Sequence, residues 1–370
     1  MTASERSVDV EFQRSLALSL VIDLSLIAMA DEYEGFDQWI YSTHAALSND
    51  LRSSIRPLFK TFANELLFDE LVELVLRQDT APPIEDLPAL IRWVSELDES
   101  TIHDSHVGLL RHIVRSQGGD DEVDASIFAD RPRLSELLDA TLAAKLKTSE
   151  IERLVGLLMN PEELQAELTL LIVRFWDRHY RIEHARCRPI EERSIEYHRD
   201  RDVPVDPLEA FVAITGRSVP PGLDKRITRA KKLIFVPSCH GGPYASVGTA
   251  HAPSDVLVVV YNCLPTGSSD RRQGPSTGEI FPPLKALADE TRLAILDLLV
   301  GRELYAQQIV DQMEISQSAV SRHLRLMVAC GVLRERKQEG MKFYSIDGAA
   351  IARLCESLDT FADHPGPGDD

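Results

Sequence analysis

Residues 281–346 read FPPLKALADETRLAILDLLVGRELYAQQIVDQMEISQSAVSRHLRLMVACGVLRERKQEGMKFYSI, and this stretch decides the fold. Asp289 is a natural N-cap for a helix whose apolar face is Leu293, Ile295, Leu296, Leu298 and Leu299, and Gly301 ends it. A second helix, about Tyr305 to Gln312, presents Ile309 and Val310, with Met313 just beyond it. The short link Glu314-Ile315 leads to Ser316, which can cap a third helix running to Cys330, before Gly331 stops it. Two short helices joined by a tight turn make a helix-turn-helix. Beyond Gly331, Val332–Lys337 and Met341–Ile346 alternate at period two around Gln338-Glu339-Gly340, which predicts a β-hairpin with a basic tip.

In the third helix Ala319, Val320, His323, Leu324 and Met327 can pack inward or flank the core. Gln317, Ser318, Ser321, Arg322 and Arg325 can project outward. Such a polar, modestly basic face near a helix N-terminus suits the major groove, where Gln and Ser reach base edges and Arg reaches guanine or phosphate. The hairpin is a wing that would lie along the phosphate backbone. The residues expected at double-stranded DNA are Ser316, Gln317, Ser318, Ser321, Arg322, His323 and Arg325 from the helix, with Arg336, Lys337, Lys342 and Tyr344 from the wing.

The segments ALADETRLAILDLL and ISQSAVSRHLRLMVACGVLRERKQEGMKFYSI resemble the ArsR/SmtB family of winged-helix regulators over about 80 residues. The resemblance implies a DNA-reading helix at Ser316–Leu326, a wing at Arg334–Tyr344, a homodimeric repressor, and a small-molecule effector that releases it from DNA. Tyr305 and Gln307 stand where many metal-sensing members carry a Cys-x-Cys box, and neither is a soft ligand. The last helix, Ala349 to Phe361, lacks spaced His and acidic ligands, and the lone His364 does not replace them. No metal and no cofactor are expected.

Upstream, residues 11 to about 200 read as successive helices. Leu66, Leu67, Leu71, Leu74 and Val75 form one amphipathic face; Pro82-Pro83 and Gly118–Asp121 read as loops; Pro161-Glu162-Glu163 opens another helix. After Asp206, Lys232–Val236 and Val256–Tyr261 are β-branched runs typical of strands, with a turn and a third strand between them at 241–248. Residues 264–282 are rich in Gly, Pro, Ser and Thr and read as a flexible linker, in which Arg271-Arg272 could touch phosphate, although basic residues in a linker usually mean only solubility; the tail HPGPGDD reads as disordered. The expected fold is therefore mainly α with a small β-sheet: a helical N-terminal domain at 1–205, a small α/β segment packed on it at 206–263, the linker, and a C-terminal winged helix-turn-helix at 283–362. The N-terminal part resembles the extension of larger ArsR-like regulators, which implies a sensor, dimerisation or partner-binding role without naming a ligand.

The chain of 370 residues has a formal charge of −19. Between Phe281 and Ile346 nine Lys and Arg face eight Asp and Glu, a net of +1, so the remainder carries −20. An acidic body would repel DNA everywhere except at the module. Five scattered cysteines without a CxxC pair suit reduced thiols and a cytoplasmic location. No signal peptide is read in MTASERSVDVEF. The apolar stretch Leu16–Ala30, interrupted by Ser19, Asp23 and Ser25, reads as a buried helix rather than a membrane span.

Three further groups invite chemistry. His179, His184 and Cys187 lie at helical spacing, with His184 and Cys187 on one face, but a solvated helix flank explains them equally. Cys239-His240 follows a strand and could pair a thiol with a base, although a strand-end turn is the plainer account. His103 and His106 read as surface residues. With no nucleophile elbow, P-loop, HExxH or paired-carboxylate motif upstream, an enzyme is not expected.

Overall fold

A computed structural model describes residues 8–60, 84–116, 123–143, 146–217, 219, 223–249, 255–263, 277–338 and 340–362. The helix expected at Leu66–Val75, the breaks at Pro82-Pro83 and 118–121, Arg271-Arg272, His364 and the tail lie outside the described residues.

The architecture is mainly helical, with two small sheets. The first sheet has the order β1-β2-β4-β3, formed by β1 (Asp9–Phe12), β2 (Lys232–Ser238), β3 (Ser246–Thr249) and β4 (Val256–Asn262). β2 lies parallel to both β1 and β4, whereas β3 runs antiparallel to β4. Strands buried on both faces read as unbroken apolar runs, which is why KLIFV and VLVVVY were conspicuous in the sequence. One face, Ile234, Val236, Val258 and Val260, joins the large helical core. The other face, Leu233, Phe235, Leu257, Val259 and Tyr261, forms a second core with Phe211, Ile214 and Ile227. Side-chain alternation along each strand therefore couples the two cores. One element departs from the sequence reading: β1 comes from the stretch expected to be helical, so the sheet draws its edge from the first residues of the 1–205 region.

The Leu16–Ala28 helix is buried almost all round, as its composition demands. The Pro161–Phe175 helix starts where expected, with Asn160 accepting from the Glu163 backbone N–H. It passes through a π-helical turn at Trp176–Tyr180 into the Arg181–Arg199 helix. Among the described residues no helix is long and apolar enough to cross a membrane.

The C-terminal module begins with a helix at Thr277–Leu287, so ordered structure starts inside the stretch expected to be linker. Then come Glu290–Leu299, Ala306–Met313, Gln317–Ala329 and Gly348–Ala362, with a three-stranded sheet of order β5-β7-β6. β6 (Leu333–Gln338) and β7 (Met341–Ile346) form the wing, and β5 (Leu304–Tyr305) adds a third strand. Both expected caps are present: the Asp289 side chain accepts from the Arg292 N–H, and the Ser316 hydroxyl accepts from Ala319 N–H at 3.2 Å. Glu314, at φ 54°, makes the left-handed turn between the two helices of the motif. Ile295, Leu299, Ile309, Val320, Leu324 and Met327 form the module's core. Leu293, expected on the inner face, is exposed instead, as are Phe281, Leu284 and Leu358 on neighbouring helices.

Candidate nucleic-acid interface and the buried cluster behind it

The reading helix, Gln317–Ala329, divides into two parts. Its capped N-terminus leaves Ser316, Gln317 and Ser318 exposed, as the sequence suggested. Its middle does not project freely, because Arg322, His323 and Arg325 face the loop that joins the Leu16–Ala28 and Gln38–Ala46 helices. In that loop the Glu34 carboxylate lies 2.9 Å from Arg292 Nη1, 3.7 Å from Arg322 Nε and 3.6 Å from His323 Nδ1. Arg325 donates to the Glu32 carbonyl at 2.6 Å, and its guanidinium lies 4.6 Å from the Tyr33 ring centroid. Its other nitrogen donates to the Ser321 hydroxyl at 3.0 Å. One carboxylate thus faces three basic groups of the winged helix, and an aromatic face takes a fourth.

Close backbone contact fixes this loop from behind. Gly35 has φ 94°, and a Cβ there would come 2.7 Å from Leu326 Cδ1 of the reading helix. A Cβ on Gly242 (φ 60°) would come 2.0 Å from the Gly35 carbonyl oxygen. Tyr244 donates its hydroxyl to the Glu34 carbonyl at 2.7 Å, and the Asp37 N–H donates to the His240 carbonyl at 3.0 Å. Gly242→Ala is therefore expected to lower stability by about 2–4 kcal/mol, from left-handed strain plus displaced backbone. Gly216→Ala, at φ 63° with open space around its Cβ, isolates the strain alone at about 1 kcal/mol. Urea midpoints check this; equal losses in the two variants would mean that the contact between the glycines is slack.

On the wing, Arg336, Lys337 and Lys342 are exposed. Arg336 pairs with Glu303 at 2.7 Å, a solvent-exposed pair that phosphate could replace at small cost, and Lys342 pairs with the more buried Glu335 at 3.0 Å. Tyr344 departs from expectation. It is buried in the module's core, because period-two alternation turns its side chain inward beside Leu333 and Leu304. Tyr305 and Gln307, at the positions of the family's thiolate box, sit against Phe343 and Asp311 respectively.

The N-terminal body holds a feature that the sequence left divided between two readings. Cys187, from the Arg181–Arg199 helix, and His240, after β2, meet at 3.5 Å between Sγ and Nε2. Glu183, one turn before Cys187, places Oε1 2.8 Å from the same Nε2 and 3.6 Å from Sγ. On the other side His240 Nδ1 lies 2.7 Å from Asp23 Oδ1, and Asp23 Oδ2 accepts from the Tyr180 hydroxyl at 2.8 Å. Trp39 stacks on the imidazole at 4.7 Å between ring centroids. All of Asp23, Glu183, Cys187 and His240 are buried. His184, the expected companion of Cys187, packs instead on Trp176 and Tyr180, and His179 packs on Phe175.

Charge fits this geometry. Burial disfavours the imidazolium, but Asp23, Cys187 and Glu183 outweigh it and hold His240 well above its ordinary value. Burial likewise opposes ionisation of Glu183, yet hydrogen bonds from His240 and Arg186 bring it down to about 2. The Cys187 thiol is pushed up by the neighbouring Cys239 and by burial. Glu191, nearby, rises to about 7 through burial and the Asp23 charge. His103 and His106 also depart from the surface reading: His103 stacks on Phe128, His106 meets the same ring edge-on, and His106 is buried, which lowers it to about 4.

Residues 289–335 match the model of the family described as bacterial regulatory protein, arsR family. Over 75 residues the chain is 36% identical to the transcriptional activator HlyU of Vibrio cholerae, spanning 69% of that protein and 20% of this one. The chain belongs to the ArsR family. It is 31% identical over 80 residues to the arsenical resistance operon repressor of Staphylococcus aureus, covering 77% of it and 22% of this chain. Against the solved HlyU structure from Vibrio cholerae the identity is 30%, with 94% of that chain and 23% of this one covered and a TM-score of 0.20. The ArsR-family match makes this chain a DNA-binding transcriptional regulator. The matched residues all lie in the winged helix, so the Asp23–Glu183–Cys187–His240 cluster and the Glu34 loop belong to the part without a matched relative among these.

Proposed function

We propose that the chain is a dimeric, effector-controlled repressor whose reading helix alternates between the N-terminal body and DNA. The observation that carries this reading is the Glu34 contact, because Arg322 and Arg325, suited to reading DNA, are engaged within the chain. The same side chains cannot serve guanine or phosphate while they face Glu34 and Glu32. An effector that binds one state better than the other would shift the balance by its differential affinity. Exposed Phe281, Leu284, Leu293 and Leu358, on the helices flanking the motif, support a second copy of the chain as the partner that covers them. Relatives named as repressors and as an activator share this winged helix, and repression is the reading favoured for a module that competes for promoter DNA.

A gel-shift against the DNA upstream of the chain's own coding region tests the proposal; absence of any salt-sensitive, sequence-selective complex would sink it. Within that assay two substitutions are expected to differ. Arg322→Ala, made in a chain that already carries Glu34→Ala so that docking is not a factor, loses affinity together with base preference. Lys342→Ala weakens all sequences alike and lowers the salt slope by about one. Identical behaviour of the pair would contradict the division between reading helix and wing.

A further inference from the structure

We propose that Glu183, Cys187 and His240 form a zinc site in the N-terminal body, with Asp23 as the positioning residue behind His240. The three ligand atoms, one carboxylate oxygen, one thiol sulfur and one imidazole nitrogen, all lie within 4.8 Å of one another and belong to buried residues. Zn–S near 2.3 Å and Zn–N or Zn–O near 2.0–2.1 Å require tetrahedral edges of about 3.4–3.6 Å. Two edges already have that length: sulfur to nitrogen is 3.5 Å and sulfur to oxygen is 3.6 Å. The third, nitrogen to oxygen at 2.8 Å, is closed by a hydrogen bond and opens by less than an ångström when a metal takes the proton's place. A mixed S/N/O set is borderline in softness, which favours Zn²⁺ over Mg²⁺ or Ca²⁺.

The arrangement behind the ligands supports the same reading. A zinc-bound imidazole characteristically donates its other N–H to a carboxylate, which fixes the ring and its tautomer. Asp23 does this at 2.7 Å from Nδ1, and the Tyr180 hydroxyl holds Asp23 in turn. Glu183 and Cys187 are four residues apart on one helix, so both point from the same face. The ring is clamped by Trp39. Arg186, half-exposed, pairs with Glu183 at the edge of the cluster. This centre stands apart from the thiolate box of the winged helix, whose places hold Tyr305 and Gln307, and it does not depend on DNA binding.

The test uses the full-length chain and Co²⁺ as a spectroscopic substitute for Zn²⁺. One equivalent of Co²⁺ is expected to give an intense near-ultraviolet thiolate-to-cobalt band together with visible bands of tetrahedral intensity, displaced by one equivalent of Zn²⁺. Cys187→Ser is expected to abolish the near-ultraviolet band while circular dichroism confirms an unchanged helix content. Asp23→Asn keeps the band and weakens the metal affinity ten- to hundredfold, as loss of an orienting carboxylate does. The proposal is overturned by absence of the band in the wild-type chain, by its persistence in Cys187→Ser, or by an unchanged affinity in Asp23→Asn. Should Cys187→Ser fail to fold, Cys239→Ser, Cys263→Ser, Cys330→Ser and Cys355→Ser each retaining the band assign the thiolate to Cys187, and loss of the band in any of them overturns the assignment.

Discussion

Replacing Glu34 with alanine is expected to tighten DNA binding by roughly 30-fold without adding any contact to DNA. The reason lies in the pairing of Glu34 with Arg292, whose guanidinium side chain is only 10% exposed in the docked arrangement. Removing one partner from a buried hydrogen-bonded ion pair costs about 3–5 kcal/mol. Glu34 itself is 32% exposed, so solvent screening reduces the expected penalty to about 2 kcal/mol. That penalty falls on the docked state alone, because an undocked Arg292 regains water. At about 1.4 kcal/mol per factor of ten, the undocked population rises some 30-fold for as long as docking predominates.

The measurement is a titration of wild-type, Glu34→Ala and Glu34→Gln chains against the same operator at fixed salt. Both variants should gain affinity, and Glu34→Gln should gain less, since an amide can still accept from Arg292. Adding Arg292→Ala to Glu34→Ala should give back part of that gain, because it removes the unpaired charge that penalises the docked state. An affinity in Glu34→Ala equal to wild type would show that the docked arrangement does not compete with DNA.

The contrast between what the sequence revealed and what it hid follows from the range of the interactions. Asp289, Ser316, Gly301 and Gly331 act on backbone groups within three or four residues, so their roles could be read directly. The wing was legible from period-two alternation, although the same alternation should have placed Tyr344 inside, as it is. Glu34 and Arg292 are 258 positions apart, and nothing local to EYEGF marks it as a docking loop. The buried cluster was half visible. Asp23 stood out as the charge within an apolar helix, and Cys187 and His240 were each noticed separately. Helical spacing pointed Cys187 to His184, yet the tertiary partner comes from the end of β2. Glu183 carried no signal beyond its position one turn away. β1 escaped because four residues alternating Asp, Val, Glu and Phe are too short to compete with the helical pattern that follows.

Acid is expected to weaken the N-terminal body between pH 6.5 and 4, and two buried histidines determine most of the loss. His106 and His198 are both lowered from 6.5 to about 4, chiefly by burial. Among the described residues, Nδ1 of His106 and Nε2 of His198 have no hydrogen-bond partner. A depressed folded-state value means full stability above pH 6.5 and progressive loss as pH falls towards about 4, since the unfolded chain takes up the protons first. At 1.36 kcal/mol per unit, each histidine accounts for about 3 kcal/mol, a large part of a typical domain's stability. Glu191 works in the opposite direction: raised from 4.5 to about 7, it binds its proton first in the folded chain, so stability increases by a similar amount as pH falls from 7 to 4.5. His44, His179 and His184 are also lowered and add to the acid loss. Differences between variants therefore read more cleanly than the wild-type slope. His198→Phe, which preserves a ring between Phe12 and Tyr261, should remove about one proton from the unfolding linkage over this range. Glu191→Gln should do the reverse and steepen the acid loss by about one proton. Urea midpoints at half-unit pH steps measure both; parallel curves for wild type and His198→Phe would mean that His198 titrates normally in the folded chain.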